Sequence, residues 1–396
     1  MLGLRTSAAS RRIVLQSGFG LGGSLLLGCA SEPLNEPQSD TPQNKPEGEL
    51  LGIVPFVGES DVSLEEPFNA GLDGRLYTDL SLLDEGHLTT PSEAFYVRTR
   101  YPDLLQPESR WPIDVWVDGE TSLTIFLDEI AALATAQGAH LMECSGNARG
   151  ASFGLMSSAD WTGVPLLRVL DRFDRGDATG VLVSGFDEHS QQSLNNHSTP
   201  GASWVFSFDD LQRTGAFLAT QMNGDALLAD HGAPVRLVVP GWYGCTCIKW
   251  VNEIRLVGTN EPATSQMIEF ASRTHQSGAP TLARDYRPAE IDVAAMPVRV
   301  EKWLINGVLR YRAVGIEWGG VTSAFSLEIR IGDDDWTAVQ KRASAASAAS
   351  WRLWEHSFAV DAPGTYAITL RVPGDLIRTR RLDTGYYRRE ISVAQG

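Results

Sequence analysis

Cys144 is the side chain in this sequence best suited to hold a metal. It ends the short apolar run His140–Cys144, and Ser145-Gly146-Asn147 follows at once. Thiolate sulfur suits a soft or high-valent metal, and a glycine two residues on lets a group approach the backbone closely. The chain has 4 cysteines, at positions 29, 144, 245 and 247. Cys245 and Cys247 are too close in sequence to bridge comfortably. With Cys29 assigned to the leader described below, at least one thiol still needs an explanation. On these residues alone, an ordinary buried thiol remains an open reading of Cys144.

A second constellation lies about a hundred residues downstream. Met222-Asn223-Gly224-Asp225 reads as a turn, and His231-Gly232-Ala233-Pro234-Val235-Arg236 follows. The next stretch is the glycine-rich loop Pro240-Gly241-Trp242-Tyr243-Gly244, and Lys249-Trp250 closes the run. His231, Arg236 and Lys249 flank a loop whose backbone amides can face outward, an arrangement that suits a phosphate or another anionic cofactor group. Taken singly, each is equally well read as a solvated basic residue.

The elements that must position these groups come from periodicity. Ile113, Val115 and Val117 alternate with polar neighbours and stop at Asp118-Gly119, a strand entering a turn. Leu123, Phe126, Leu127, Ile130 and Leu133 have the spacing of an amphipathic helix over 122–137, and 164–173 reads as another helix. The run 140–144 is a strand that leaves Cys144 at its end, and 236–239 is a buried strand. Residues 261–290 lose periodicity and read as a long connection. After Met296 the pattern turns to short alternating strands, at 325–331 and 366–372, with Ala343–Ser350 as a surface loop. That texture indicates a β-sandwich of immunoglobulin type.

Bulk properties narrow the partners. The chain has 396 residues, enough for two domains, and a net charge of -16. An acidic surface repels phosphate backbones, which argues against nucleic acid, and an anionic substrate would need a local cluster of arginines. Arg11-Arg12 before a modest Gly/Leu-rich stretch marks a twin-arginine (Tat) export signal over 1–29. Leu26-Leu27-Gly28-Cys29 is similar to a lipobox that makes Cys29 a lipidated N-terminus, and the Pro/Glu/Gln-rich residues 30–50 read as a disordered tether. The expected location is the periplasm or the cell surface.

Together the two constellations resemble the sulfite oxidase family. The resemblance rests on Glu143-Cys144-Ser145-Gly146-Asn147, on Trp161 with Gly163-Val164-Pro165-Leu166, on Met222-Asn223-Gly224, and on the run from His231 through Trp250. It extends over about 94–393. It implies an α+β protein in which a mixed α/β molybdopterin domain (51–260) is joined through 261–290 to an immunoglobulin-like dimerisation domain (291–396). It also implies one molybdopterin, with Cys144 as the protein ligand to molybdenum.

By position, the resemblance places Arg98 and Arg149 beside the metal and its oxyanion substrate, and Trp161 in the pocket wall. Without it, each arginine is equally well a surface ion pair. His231, Arg236, Lys249 and the Gly244 loop match positions that hold the pterin and its phosphate. Two departures stand out. The family tyrosine beside the metal has no counterpart, the matching segment Glu269–Gln276 offering His275 instead. The C-terminal pocket arginine falls in Arg378-Thr379-Arg380-Arg381, with the inward residue undetermined. The implied reaction is two-electron oxidation of sulfite or a similar small oxyanion. No Cys-x-x-Cys-His haem motif is present, so the electrons would pass to a separate carrier such as a c-type cytochrome. The alternatives are a molybdenum reductase of S-oxides or N-oxides, and a non-catalytic surface lipoprotein that kept the fold.

Overall fold

The strand that ends before the expected turn returns as a hairpin. In the computed structural model the strand Pro112–Val117 pairs antiparallel with Thr121–Phe126, and Val117 faces Thr121. The helix expected over 122–137 is therefore a strand, then one helical turn at Leu127–Ala131, then the strand Thr135–Glu143. Thr121, Thr124, Ile125 and Phe126 are strand formers, and the apolar spacing that suggested a helix spans the junction of two elements. The second expected helix shrinks to Leu166–Leu170, because Val164 and Pro165 finish the strand Met156–Pro165. The described helices are all short, so the first half is richer in sheet than a mixed α/β reading implies.

The structure describes residues 48–394 except 60–64, 67–72, 103–104, 106–109, 118, 120, 189–201, 321–325, 345–348 and 375–376. The export signal, Cys29 and nearly all of the tether lie outside the described residues.

Two five-stranded sheets share one core in the first half. One has the order Ser203–Ser207, Gly180–Gly185, Val251–Val257, Pro112–Val117, Thr121–Phe126. Its only parallel pairing joins Val251–Val257 to Pro112–Val117. The other runs Asp225–Ala226, Phe217–Met222, Met156–Pro165, Thr135–Glu143, and Arg236–Val238 adds to Phe217–Met222. Fully buried Ile113, Val115, Val164, Leu170, Val183, Phe217 and Trp250 lie between them. The expected connection 261–290 is structured. Thr264 caps the turn Ser265–Glu269, and Gln266 bonds to Ser203 and to the Cys245 carbonyl.

The C-terminal part is two antiparallel sheets facing each other across a shared core. One is Glu49–Val54, Ala294–Ile305, Val308–Trp318, Arg352–Phe358, Gln340–Ser344; the other is Thr337–Ala338, Glu328–Ile331, Gly364–Arg371, Arg389–Val393. Ala295, Ala313, Ile329, Trp354, Ile368 and Ile391 fill the space between. Two expectations are corrected. Residues 49–54, expected in the tether and the cofactor domain, form an edge strand of this sandwich. The expected surface loop 343–350 begins within a strand and ends at buried Ser350, whose hydroxyl meets that of Ser158 at 2.6 Å. A third cluster (Leu141, Phe153, Met156, Tyr243, Met296, Ile316, Trp318, Trp351, Tyr387) fuses sandwich and first half, and Glu47–Gly396 form one compact unit.

Candidate functional site

The strand Thr135–Glu143 delivers Cys144 just past its last residue, as the sequence suggests. The chain then turns back. Asn147 N–H donates to the Cys144 carbonyl (2.9 Å), and Gly146 N–H donates to Cys144 Sγ (3.4 Å). Asn147 is fully buried; its Oδ1 accepts from Leu155 N–H (3.1 Å) and its Nδ2 donates to Glu143 Oε1 (3.4 Å). Glu143 and Asn147 thus clamp both ends of the loop. Cys144 lines an open cavity of about 930 Å³, mouth included.

Cations converge on that cavity. Arg98 reaches it from the strand Val97–Thr99, Arg236 from Arg236–Val238, and Lys249 from just before Val251–Val257. Arg236 is only 4% exposed. Its Nη1 donates to the His231 carbonyl (3.0 Å) and its Nη2 to the Cys247 carbonyl (3.3 Å), while its Nε is buried without a partner. Lys249 Nζ donates to the carbonyls of Thr99 and Asp230. Neither cation is ion-paired to a carboxylate among the described residues, and burial, with each other's charge for Lys249, lowers both pKa values. Gly232 (φ +102°) permits the approach, since a Cβ there would lie 3.0 Å from the Cβ atoms of Arg236 and Lys249. Gly244 is needed for a similar reason, because its Cβ would come within 2.4 Å of the Tyr96 hydroxyl.

Three residues expected at the reaction centre lie elsewhere. Arg149 starts an exposed 3₁₀ turn and donates to the Arg388 carbonyl. Trp161 is buried behind the cavity wall, where its ring supports the Arg236 guanidinium 5.5 Å from the centroid. His275, in the left-handed conformation (φ +63°), points to Tyr243 Oη (3.3 Å) and towards Asp292 (4.0 Å) in a separate recess with Arg378 and Arg380. Burial, then Arg380, lowers its pKa.

Of the three C-terminal arginines, Arg381 is the one whose side chain meets the Cys144 loop. Arg378 pairs with Glu290 and Arg380 with Asp292, whereas Arg381 Nη2 donates to the Ser145 carbonyl (2.7 Å) in the Cys144 loop. Two further groups went unread in the sequence. Tyr96 lines the cavity, and its pKa is raised by burial and by the neighbouring Cys144. Arg273 lies against Gly146; the available signal was an arginine three residues after Phe270, within the segment searched for a tyrosine. Cys245 and Cys247 also line the cavity, and burial raises both thiol pKa values, with Cys144 adding to the rise at Cys245.

Comparison with known proteins bears on the same region. Residues 99–265 match the family model of the oxidoreductase molybdopterin binding domain. The chain carries a molybdopterin-binding oxidoreductase domain. It is similar to mitochondrial sulfite oxidase of Mus musculus, 24% identical over 317 residues covering 74% of this chain and 56% of that one. It is also similar to the NADPH nitrate reductase of Aspergillus niger, 31% identical over 54% of this chain and 24% of that protein. The chain spans 36% to 56% of the length of the first mammalian sulfite oxidases it matches. In fold it resembles the sulfane dehydrogenase SoxCD of Paracoccus pantotrophus, with a TM-score of 0.58, 16% identity, and coverage of 79% of this chain and 78% of that one.

The cavity of the molybdopterin-binding domain fits such a cofactor on two independent grounds. Among the described residues no group of three or more His, Cys, Asp or Glu is placed to hold a metal ion, so a metal at Cys144 must bring ligands of its own. Buried Arg236 and half-buried Lys249 form no carboxylate ion pair among the described residues, and an anion would offset their charge. An anionic organic cofactor meets both needs.

His231 is held neutral in the same wall. Its Nε2 must donate to the Ser92 carbonyl (2.8 Å), which leaves Nδ1 as an acceptor. Burial, then Lys249 and Arg236, pulls its pKa down to about 4. Because the folded value is below the unfolded one, the unfolded chain takes up the proton first as pH falls. This contribution is therefore complete above about pH 6.5 and is lost down through about pH 4, on the order of 3 kcal/mol in all. Urea midpoints should fall over that window, and fall less steeply in His231→Gln. An equal fall in the variant would assign the effect to other groups.

Proposed function

We propose that this chain is a molybdenum-cofactor enzyme of sulfite oxidase type that oxidises sulfite or a similar small oxyanion by two-electron oxygen-atom transfer. One observation carries the reading: the Cys144 thiol shares a cavity with buried Arg236 and half-buried Lys249, neither ion-paired to a carboxylate among the described residues. When bound, the cofactor supplies the redox chemistry at its metal. Cys144 would hold the metal. Arg236 and Lys249 would offset the cofactor's negative charge, with His231 accepting a hydrogen bond at Nδ1. Arg98, in the same lining, would orient an oxyanion by charge-assisted hydrogen bonds. Electrons would leave to a separate carrier such as a c-type cytochrome. Export by the Tat route and lipidation at Cys29 belong to the same proposal. So does a homodimer formed through an immunoglobulin-like sandwich, whose edge strand exposes Leu50, Leu51 and Ile53.

The second reading is a reductase of S-oxides or N-oxides, favoured by the likeness to a protein named nitrate reductase. Metal analysis of protein from a molybdenum-replete source, with two turnover assays, tests all of this. About one molybdenum per chain, with sulfite-dependent reduction of an artificial acceptor, is the expected result. Turnover only of S- or N-oxides with an artificial donor would favour the reductase. Absence of molybdenum and of turnover would favour a binding lipoprotein.

A further inference from the structure

Gly146 separates the Cys144 sulfur from a guanidinium that no motif pointed to. A Cβ placed on Gly146 would lie 3.8 Å from Cys144 Sγ and 3.5 Å from Arg273 Nη1. The sulfur and the guanidinium therefore stand apart by no more than those two distances joined end to end. The missing side chain at 146 keeps the space between them open.

Among the described residues Arg273 is a cation close to Cys144 that is exposed and forms no ion pair. Arg381 faces Glu143, Arg380 and Arg378 are paired to Asp292 and Glu290, and Arg236 is sealed in the wall. Arg273 takes part in no ion pair among the described residues. Its backbone is fixed: its N–H donates to the Phe270 carbonyl (3.0 Å) and its carbonyl accepts from Arg381 Nη2 (3.2 Å). Its head is exposed and lies over the Phe270 ring, 5.3 Å from the centroid, where Phe270 lines the cavity mouth. Glu269 lines the same mouth but forms no ion pair with it.

We propose that Arg273 binds the substrate and selects for a small oxyanion, holding it over Gly146 on the Cys144 side of the cavity. The proposal rests on the function proposed above and names its substrate class. A planar guanidinium offers two parallel donors to two oxygens of one anion, which a neutral S-oxide with one acceptor oxygen cannot use. On a chain of net charge -16, an unpaired cation at the mouth also reverses the local field that would otherwise repel an anion.

The test uses the holoenzyme and its Arg273→Gln, Arg273→Lys and Gly146→Ala variants. Steady-state sulfite oxidation is measured, and inorganic sulfate serves as an unreactive anion probe by calorimetry. With molybdenum content and thermal midpoint unchanged, Arg273→Gln should raise KM for sulfite and weaken sulfate binding by about 10- to 100-fold, with kcat changed less. Arg273→Lys should recover part of the loss, and Gly146→Ala should weaken sulfate binding by filling the gap. The salt dependence of kcat/KM should flatten in Arg273→Gln. Sulfate binding within twofold of wild type in Arg273→Gln, or no sulfate binding by the wild type, overturns the proposal. The titration does not need turnover. Sulfate binding that depends on Arg273 in a protein without molybdenum would therefore sink the enzyme reading and keep the anion site.

Discussion

Cys144→Ser should leave a folded protein that has lost turnover. The local structure predicts the first half of that outcome. Cys144 is 7% exposed, and the contact its sulfur accepts within the loop, from Gly146 N–H at 3.4 Å, can be accepted by a hydroxyl. The other bonds that shape the loop run through Asn147 and Glu143 and do not involve the thiol. Circular dichroism and the thermal midpoint should therefore stay close to wild type. The second half follows from ligand chemistry: a neutral, hard hydroxyl replaces the thiolate that a soft or high-valent metal requires. The loss should exceed the ~100-fold typical of removing an outer-sphere partner of a metal site. Molybdenum content and sulfite-dependent acceptor reduction, measured on the same preparation, check it. Turnover retained in a molybdenum-loaded Cys144→Ser protein would remove Cys144 from the role of ligand.

Much of this site was readable because it is local. Cys144 falls at a strand end since alternation and a turn sequence meet there, and Arg236 heads a short strand for the same reason. The direction a side chain takes after a turn is harder to read. Arg149 follows Cys144 by five residues, but a 3₁₀ turn sends it to the Arg388 carbonyl. His275 sits in the segment where a tyrosine was expected, and its left-handed backbone aims the ring at Tyr243, while Arg273, two residues earlier, lies by the Cys144 loop. Long-range pairings were also out of reach. Leu50 pairs with Trp303 on the neighbouring strand of the same sheet, and the alternation of six residues carries no address for a partner so distant in sequence. The short apolar repeat at 123–133 fitted a helix because one period cannot distinguish two abutting elements from one.

Glu143→Ala is expected to be the most destabilising single change at the site, because one buried carboxylate joins the cofactor-binding half to the sandwich. Glu143 is fully buried. Trp318 Nε1 donates to its Oε2 (2.9 Å), and Tyr387 Oη and Asn147 Nδ2 donate to its Oε1 at 3.1 and 3.4 Å. Arg381 Nη1 stands 3.7 Å from the same Oε1. Burial raises the Glu143 pKa, while Arg381 and these donors oppose the rise. Truncation leaves an indole N–H, a phenol and a guanidinium facing a dry gap. Breaking a buried pair by removing one partner costs roughly 3–5 kcal/mol. Glu143→Gln keeps one acceptor oxygen and should cost less, and Arg381→Met added to Glu143→Ala should restore part of the loss by removing the stranded charge. Because Arg381 also holds the Ser145 carbonyl, Glu143→Ala should lower turnover as well as the denaturation midpoint, in protein matched for molybdenum content. A double-mutant cycle on the two residues measures the coupling. Purely additive effects would mean that Glu143 acts through Trp318 and Tyr387 alone, and that the sandwich grips the Cys144 loop by neutral hydrogen bonds.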